Sequence, residues 1–143
     1  MIMIDQISKL LPQKPPFLMV DRVIKVDPGK RLVAIKNVTI NDQILNAHFP
    51  KNSVMPGALI IESMAQTAIL LYYSTKNFEV DSTVNFFLGS VKAHFSGPVV
   101  PGDRLKLEAV LVKALSNGLY VEVRAYVGNV EVSKSELVCI IQK

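Results

Sequence analysis

The sequence predicts an α+β domain in which one curved antiparallel sheet wraps around a buried helix. Three observations carry that prediction. The stretch from Ala58 to about Ser74 is apolar on almost every side, as a helix enclosed by other elements must be. From about Thr83 onward, apolar and polar residues alternate between Asn/Gly turns, the pattern of an antiparallel meander. No linker or internal repeat interrupts the 143 residues, so residues 1–143 read as a single domain, long enough to bury a core without disulfides or metal. One enclosed helix and roughly six strands make an α+β fold.

Taken in order, Ile4, Ile7, Leu10 and Leu11 recur at helical spacing, and Pro12 ends a short amphipathic helix. Val20 to Val26 and Arg31 to Ile40 are β-rich and flank Asp27-Pro28-Gly29-Lys30, which reads as a hairpin turn. The segment NDQILNAHFPKNSVMPG follows. Pro50 and Pro56 and its Asn-rich flanks mark it as an ordered loop. Pro56-Gly57 opens the long helix. Thr83 to Lys92 is the next strand, and Pro98 to Asp103 separates it from Arg104 to Leu115. Ser116-Asn117-Gly118 leads into Leu119 to Val127, and Gly128-Asn129 into Val130 to Ile141. Val121, Val123, Ala125 and Val127 share one face. Tyr120, Tyr126 and Val132 are expected on the outer face, where they would suit a dimer.

Composition narrows the function. Half the residues are apolar and a fifth are charged, which excludes disorder and low-complexity architectures. The net charge is 16 − 12 = +4, and only Lys30 and Arg31 of the cations are adjacent. No basic stripe interleaved with aromatics appears, so nucleic acid is not the expected partner, although a mild positive field favours an acidic one. The N-terminus has no secretory pattern. The apolar run Ala58 to Tyr73 falls short of the roughly 20 residues of a membrane span and contains Glu62 and Gln66. A cytoplasmic protein is expected. The lone cysteine, Cys139, fits a reducing compartment and a place in the core. Two histidines and one cysteine do not make a Cys/His zinc site.

Candidate chemistry is therefore confined to few residues. Glu62 lies inside the helix expected to be most buried, where a carboxylate favours its neutral form and can serve as a general acid. Pairing with a base, or reaching solvent at an interface, accounts for it equally well. Gln66, four residues on, shares its face and can either orient it or sit as a satisfied buried amide. Gly57 begins the helix, where free backbone N–H groups favour negative charge. It precedes Glu62 by five positions, about 7.5 Å of helical rise. A plain turn glycine reads the same way. His48 lies on the ordered loop beside Phe49-Pro50, and His94 has no comparable setting.

These residues fall within a longer series of blocks: Leu11-Pro12, Pro16-Phe17-Leu18-Met19-Val20-Asp21-Arg22-Val23, Asn37-Val38-Thr39-Ile40-Asn41, His48-Phe49-Pro50, Val54-Met55-Pro56-Gly57, Ile60-Ile61-Glu62, Met64-Ala65-Gln66 and Pro98 to Asp103. In that order, and with fourteen positions from His48 to Glu62, the chain resembles the (R)-3-hydroxyacyl-acyl-carrier-protein dehydratases of type II fatty-acid synthesis, the FabZ type. The resemblance implies a hot-dog fold. It implies a homodimer whose active sites combine His48 of one subunit with Glu62 of the other, and in many members three dimers form a hexamer. It implies a hydro-lyase in which His48 removes the α-proton, Glu62 protonates the leaving hydroxyl and the Gly57 N–H binds the thioester carbonyl. No metal or redox cofactor is implied. The phosphopantetheine arm of an acyl carrier protein presents the acyl chain, for which Phe17, Phe86, Phe87 and Leu88 are tunnel candidates.

The chain departs from the family pattern at Ala47 and Lys51, where glycines usually flank His-Phe-Pro. It departs again at Gln13-Lys14-Pro15, in place of His-Arg-Tyr, and at His94 and Ser96-Gly97, where basic residues are common. The last positions concern docking of the acidic carrier, so the departure leaves a carrier of a specialised lipid pathway in view. Glu62 stands where the dehydratase–isomerase type carries Asp, which disfavours isomerisation. The rival readings are a hot-dog acyl thioesterase and a non-catalytic protein that binds an acyl chain or carrier.

Overall fold

The computed structural model describes residues 1–43, 45 and 53–143. Its elements are α1 (Ile4–Leu10), β1 (Arg22–Asp27), β2 (Arg31–Asn37), α2 (Gly57–Ser74), β3 (Asn85–Phe95), β4 (Arg104–Leu115), β5 (Gly118–Val127) and β6 (Val130–Gln142). The six strands form one sheet in the order β1-β2-β4-β5-β6-β3, with every neighbouring pair antiparallel. The hairpin turn holds as expected, with Gly29 at φ +72. The sheet curves around α2, which touches all six strands. This is the predicted α+β, hot-dog arrangement.

The period-two pattern explains which face turns inward. Leu32 and Ala34 of β2, Leu105, Leu107 and Ala109 of β4, Val121, Val123 and Ala125 of β5, and Leu137 and Cys139 of β6 are all buried in one cluster with Met64, Ala68 and Leu71 of α2. Because β3 pairs only with β6, it forms one edge of the sheet, and the chain must then cross to β4. The segment Pro98 to Asp103 makes that crossing. It is pinned by Val38 N–H donating to the Asp103 carbonyl, Gly102 N–H to that of Val38, and Met55 N–H to that of Val99.

Three expectations need correction. The second strand ends at Asn37, not Ile40, because Val38 turns to pair with the crossing segment. The third strand runs on to Phe95. Val132, expected on the outer face, is buried in the core. The pairing of β5 with β6 slips between Ala125 and Tyr126, which leaves Val132 as the extra residue of a bulge and turns it inward.

The long helix is not enclosed all round either. Ala58 is exposed, and Ile61, Glu62 and Ala65 are only partly covered. Spacings of three and four residues put these on one stripe, the side of α2 on which the site lies. Among the described residues no helix is long and apolar enough to cross a membrane.

Candidate active site

Glu62 sits on the incompletely covered stripe of α2, so it is half-buried, not sealed in the core as the sequence suggested. Its orientation is fixed from one turn below. Gln66, fully buried, donates from Nε2 to Glu62 Oε1 at 2.9 Å and to the Phe17 carbonyl at 2.8 Å, while its own Oε1 accepts the Met19 N–H at 2.7 Å. The helical i, i+4 spacing brings the two side chains together. The backbone of the irregular segment Phe17 to Met19 supplies a carbonyl and an N–H that hold both ends of the amide. Gln66 therefore ties the segment before β1 to the helix and, through it, holds the carboxyl group. The polar helix residue is retained in the core because each of its hydrogen-bonding groups is satisfied.

Glu62 opens onto a cavity of about 270 Å³ lined by Gln13, Ala65, Ala68, Ile69, Phe86, Phe87, Leu88, Leu137 and Cys139. Phe86 is braced by edge-on contact with the Tyr72 ring at 5.5 Å between centroids. Three consecutive residues of β3 border the cavity, and the strand is bulged just beyond them, between Leu88 and Ser90. Gly89 occupies the bulge, where an added Cβ would come within 2.6 Å of Ile140 Cδ1. Three of the tunnel candidates thus line this cavity. Phe17 does not: its ring is exposed, and what it contributes is its carbonyl oxygen.

Gly57 heads α2 with no side-chain cap before it, and Leu59 and Ile60 both donate to the Pro56 carbonyl. The Phe95 ring leans over the glycine, with Cζ 3.1 Å from where a Cβ would stand. The Gly57 amide is thus at the helix N-terminus, one and a half turns ahead of Glu62, outside the lining of the cavity. His48 lies outside the described residues. His94 is exposed, and with Lys92, Lys134, Ser135 and Glu136 it lines a separate shallow cleft. Among the described residues no group of His, Cys, Asp and Glu is placed to hold a metal ion.

Sequence reasoning missed Gln13 and placed Cys139 only in the core. Cys139 is buried, and burial pushes its thiol up to about 11, but it also borders the cavity. Ala65 and Ile69 were available from Glu62 by counting three and seven residues along the helix. Gln13 carries no such local signal.

Residues 11–136 match the model of the FabA-like domain. The chain belongs to the FabA-like family. Within that family its relatives are of the FabZ type. It is 42% identical over 134 residues to the 3-hydroxyacyl-[acyl-carrier-protein] dehydratase FabZ of Geotalea uraniireducens, covering 94% of this chain and 92% of the relative. It is 43% identical over 140 residues to the FabZ of Nitrosospira multiformis, covering 97% and 96%. Among solved structures, the dehydratase heterocomplex ApeI:P from Xenorhabdus doucetiae superposes with a TM-score of 0.80 at 18% identity, over 96% of this chain and 91% of that one. An uncharacterized protein of Pyrococcus horikoshii superposes with a TM-score of 0.67 at 18% identity, over 94% and 96%. At those identities the structural likeness shows the fold.

Proposed function

We propose that this FabZ-type protein is a hydro-lyase that converts (R)-3-hydroxyacyl thioesters, carried on the phosphopantetheine arm of an acyl carrier protein, to trans-2-enoyl thioesters and water. The observation that carries the proposal is the carboxyl group of Glu62, held by Gln66 at the wall of an apolar cavity. It stands in a chain that matches dehydratases over nearly its whole length.

The elimination moves two protons and breaks one C–O bond. The Gly57 N–H, reinforced by the dipole of α2, donates to the thioester oxygen, stabilises the negative charge that develops there and acidifies the α-carbon. Neutral His48 takes the α-proton. The C–H electrons form the C2=C3 double bond, and the C3–O bond breaks toward oxygen as Glu62 delivers its proton there. Imidazolium and carboxylate are then reset by one proton exchanged through water. The elimination is redox-neutral, so the chemistry calls for no redox cofactor, and the Gly57 N–H polarises the carbonyl without a metal. The acyl chain lies among Phe86, Phe87, Leu88 and Ile69.

The protein works as a homodimer in which His48 and Glu62 of each site come from different subunits. β3 supports this: it is an edge strand with unpaired backbone, and Phe87, Leu88, Val91 and Phe95 are exposed along it. A second copy paired at that edge would cover them. The net charge of +4 suits an acidic carrier, and the cleft edged by Lys92, His94 and Lys134 is where the carrier docks. Such a carrier places the protein in the cytoplasm.

Purified protein mixed with a 3-hydroxyacyl or a trans-2-enoyl thioester should interconvert the two, followed by the absorbance of the conjugated enoyl group. Folded protein that leaves both unchanged at every chain length refutes the reading. Release of free thiol without enoyl formation would instead identify a thioesterase. His48→Ala and Glu62→Gln should each lower turnover by about 10²–10⁴-fold with the fold intact.

A further inference from the structure

Among the described residues that line the cavity, only Gln13 carries a buried oxygen or nitrogen atom with no hydrogen-bond partner. Its Oε1 is buried and has no donor among the described residues. A buried amide oxygen left unpaired is destabilising, and such atoms are rare in folded proteins. The position is not a floppy one. Just before it, α1 ends at Leu10 with Leu11 as its C-cap, and the ammonium of the next residue, Lys14, reaches back to the carbonyls of Ser8 and Leu11. The Phe17 N–H closes a turn onto the Lys14 carbonyl at 2.7 Å, and Phe17 and Met19 are held by Gln66. The backbone on both sides of Gln13 is thus fastened, and its orphaned acceptor borders the same cavity as Glu62.

The reaction proposed above needs such an acceptor. A 3-hydroxyl group that accepts the proton of Glu62 still carries its own hydrogen. Once protonated, it leaves as water with two O–H donors. Of the Glu62 oxygens, Oε1 already accepts from Gln66, and Oε2 is the one that has just released the proton. The second O–H of the departing water has no partner within the carboxyl group. We propose that Gln13 Oε1 accepts this O–H, so that Glu62 and Gln13 together grip the leaving oxygen, one as proton donor and one as acceptor. An O–H bond polarises as its oxygen is protonated, so the contact strengthens on the way to the transition state and assists kcat, besides binding the ground state. Gln13 thereby makes the cavity selective for acyl groups bearing a 3-hydroxyl over saturated ones. This rests on the dehydratase reading, and the test separates the two.

Gln13→Met keeps the length of the side chain and removes the acceptor. Dissociation constants are measured on the wild type and this variant for a 3-hydroxyacyl and a saturated acyl pantetheine thioester of equal chain length. Glu62→Gln in both backgrounds prevents turnover during the binding measurement. Gln13→Met should weaken the hydroxyl ligand about 10-fold and leave the saturated one within about 2-fold. With Glu62 present, kcat should fall about 10–100-fold. Gln13→His, which restores an acceptor nitrogen, should recover most of both. Equal weakening of the two ligands would assign Gln13 to the pantetheine arm or to packing and overturn the proposal. So would unchanged binding with unchanged kcat. If Gln13→Met does not fold, Gln13→Ala serves in the same comparison. A wild type with no dehydratase turnover that still prefers the hydroxyl ligand through Gln13 would refute the reaction and leave the hydroxyl contact standing.

Discussion

The Gln66 Nε2 donates to Glu62 Oε1 at 2.9 Å, and it cannot be turned over, because the Gln66 carbonyl oxygen is engaged by the Met19 N–H at 2.7 Å. One oxygen of the carboxyl group is therefore always an acceptor, so in the proposed reaction the other, Oε2, is the one that would carry the transferable proton.

Gln66→Leu removes this control. It leaves the Met19 N–H and the Phe17 carbonyl without their partner, which should lower stability by about 1–3 kcal/mol in denaturant titrations. The carboxyl group is freed to rotate, so kcat should fall by more than KM rises. Equal loss in both would mean that Gln66 only supports the fold.

Gly57→Ala tests close approach at the helix head. The new methyl would meet the Phe95 ring edge at 3.1 Å, a half-exposed ring that can swing aside. Alanine is also the better helix former. Tm should change by only a few degrees. Turnover should drop by at least about 10-fold if the Gly57 amide receives the thioester oxygen, since the methyl obstructs the approach. Retained turnover would remove Gly57 from the site.

The exposed residues of β3 can be altered without disturbing a lone subunit. Val91→Lys places a charge on the sheet edge at little cost to the monomer, because Val91 is already 43% exposed. Light scattering should report a monomer where the unaltered chain reports a dimer or larger, with circular dichroism preserved and turnover lost. An active monomer would show that each site is complete within one chain.

Cys139 predicts an alkaline limit to stability. Burial raises its thiol from the ordinary value of 9.0 to about 11. Between those pH values the unfolded chain has lost the proton and the folded one retains it, so stability is full below pH 9 and declines above it. The decline amounts to at most about 2–3 kcal/mol by pH 11. Cys139→Ala should flatten that part of the stability–pH curve. Iodoacetamide at neutral pH should label the folded protein far more slowly than the denatured one.

Most of the fold was legible in the sequence because burial has a period. Alternation along β4 and β5 and the apolar run of α2 located those elements to within a residue or so. Val132 was misplaced because a bulge resets the alternation, and nothing local marks one. Glu62 was legible as a candidate for a related reason: a carboxylate in an apolar helix is conspicuous. Its partner Gln66 followed from helical spacing. Gln13 was not legible, since its position depends on how the segment after α1 folds across α2, a contact spanning about fifty residues. Glu62 itself was expected deeper than it lies, because no pattern in one chain shows which stripe of a helix the sheet leaves uncovered.

Phe87 and Leu88 belong at once to the cavity wall and to the strand at the open edge of the sheet. Filling the cavity and pairing that edge are then two arms of one thermodynamic cycle. If edge pairing tightens the grip on an acyl chain by some factor, the acyl chain must tighten the pairing by the same factor. Mass action turns this into a dilution effect: specific activity should fall as the protein is diluted, and saturating acyl thioester should restore it.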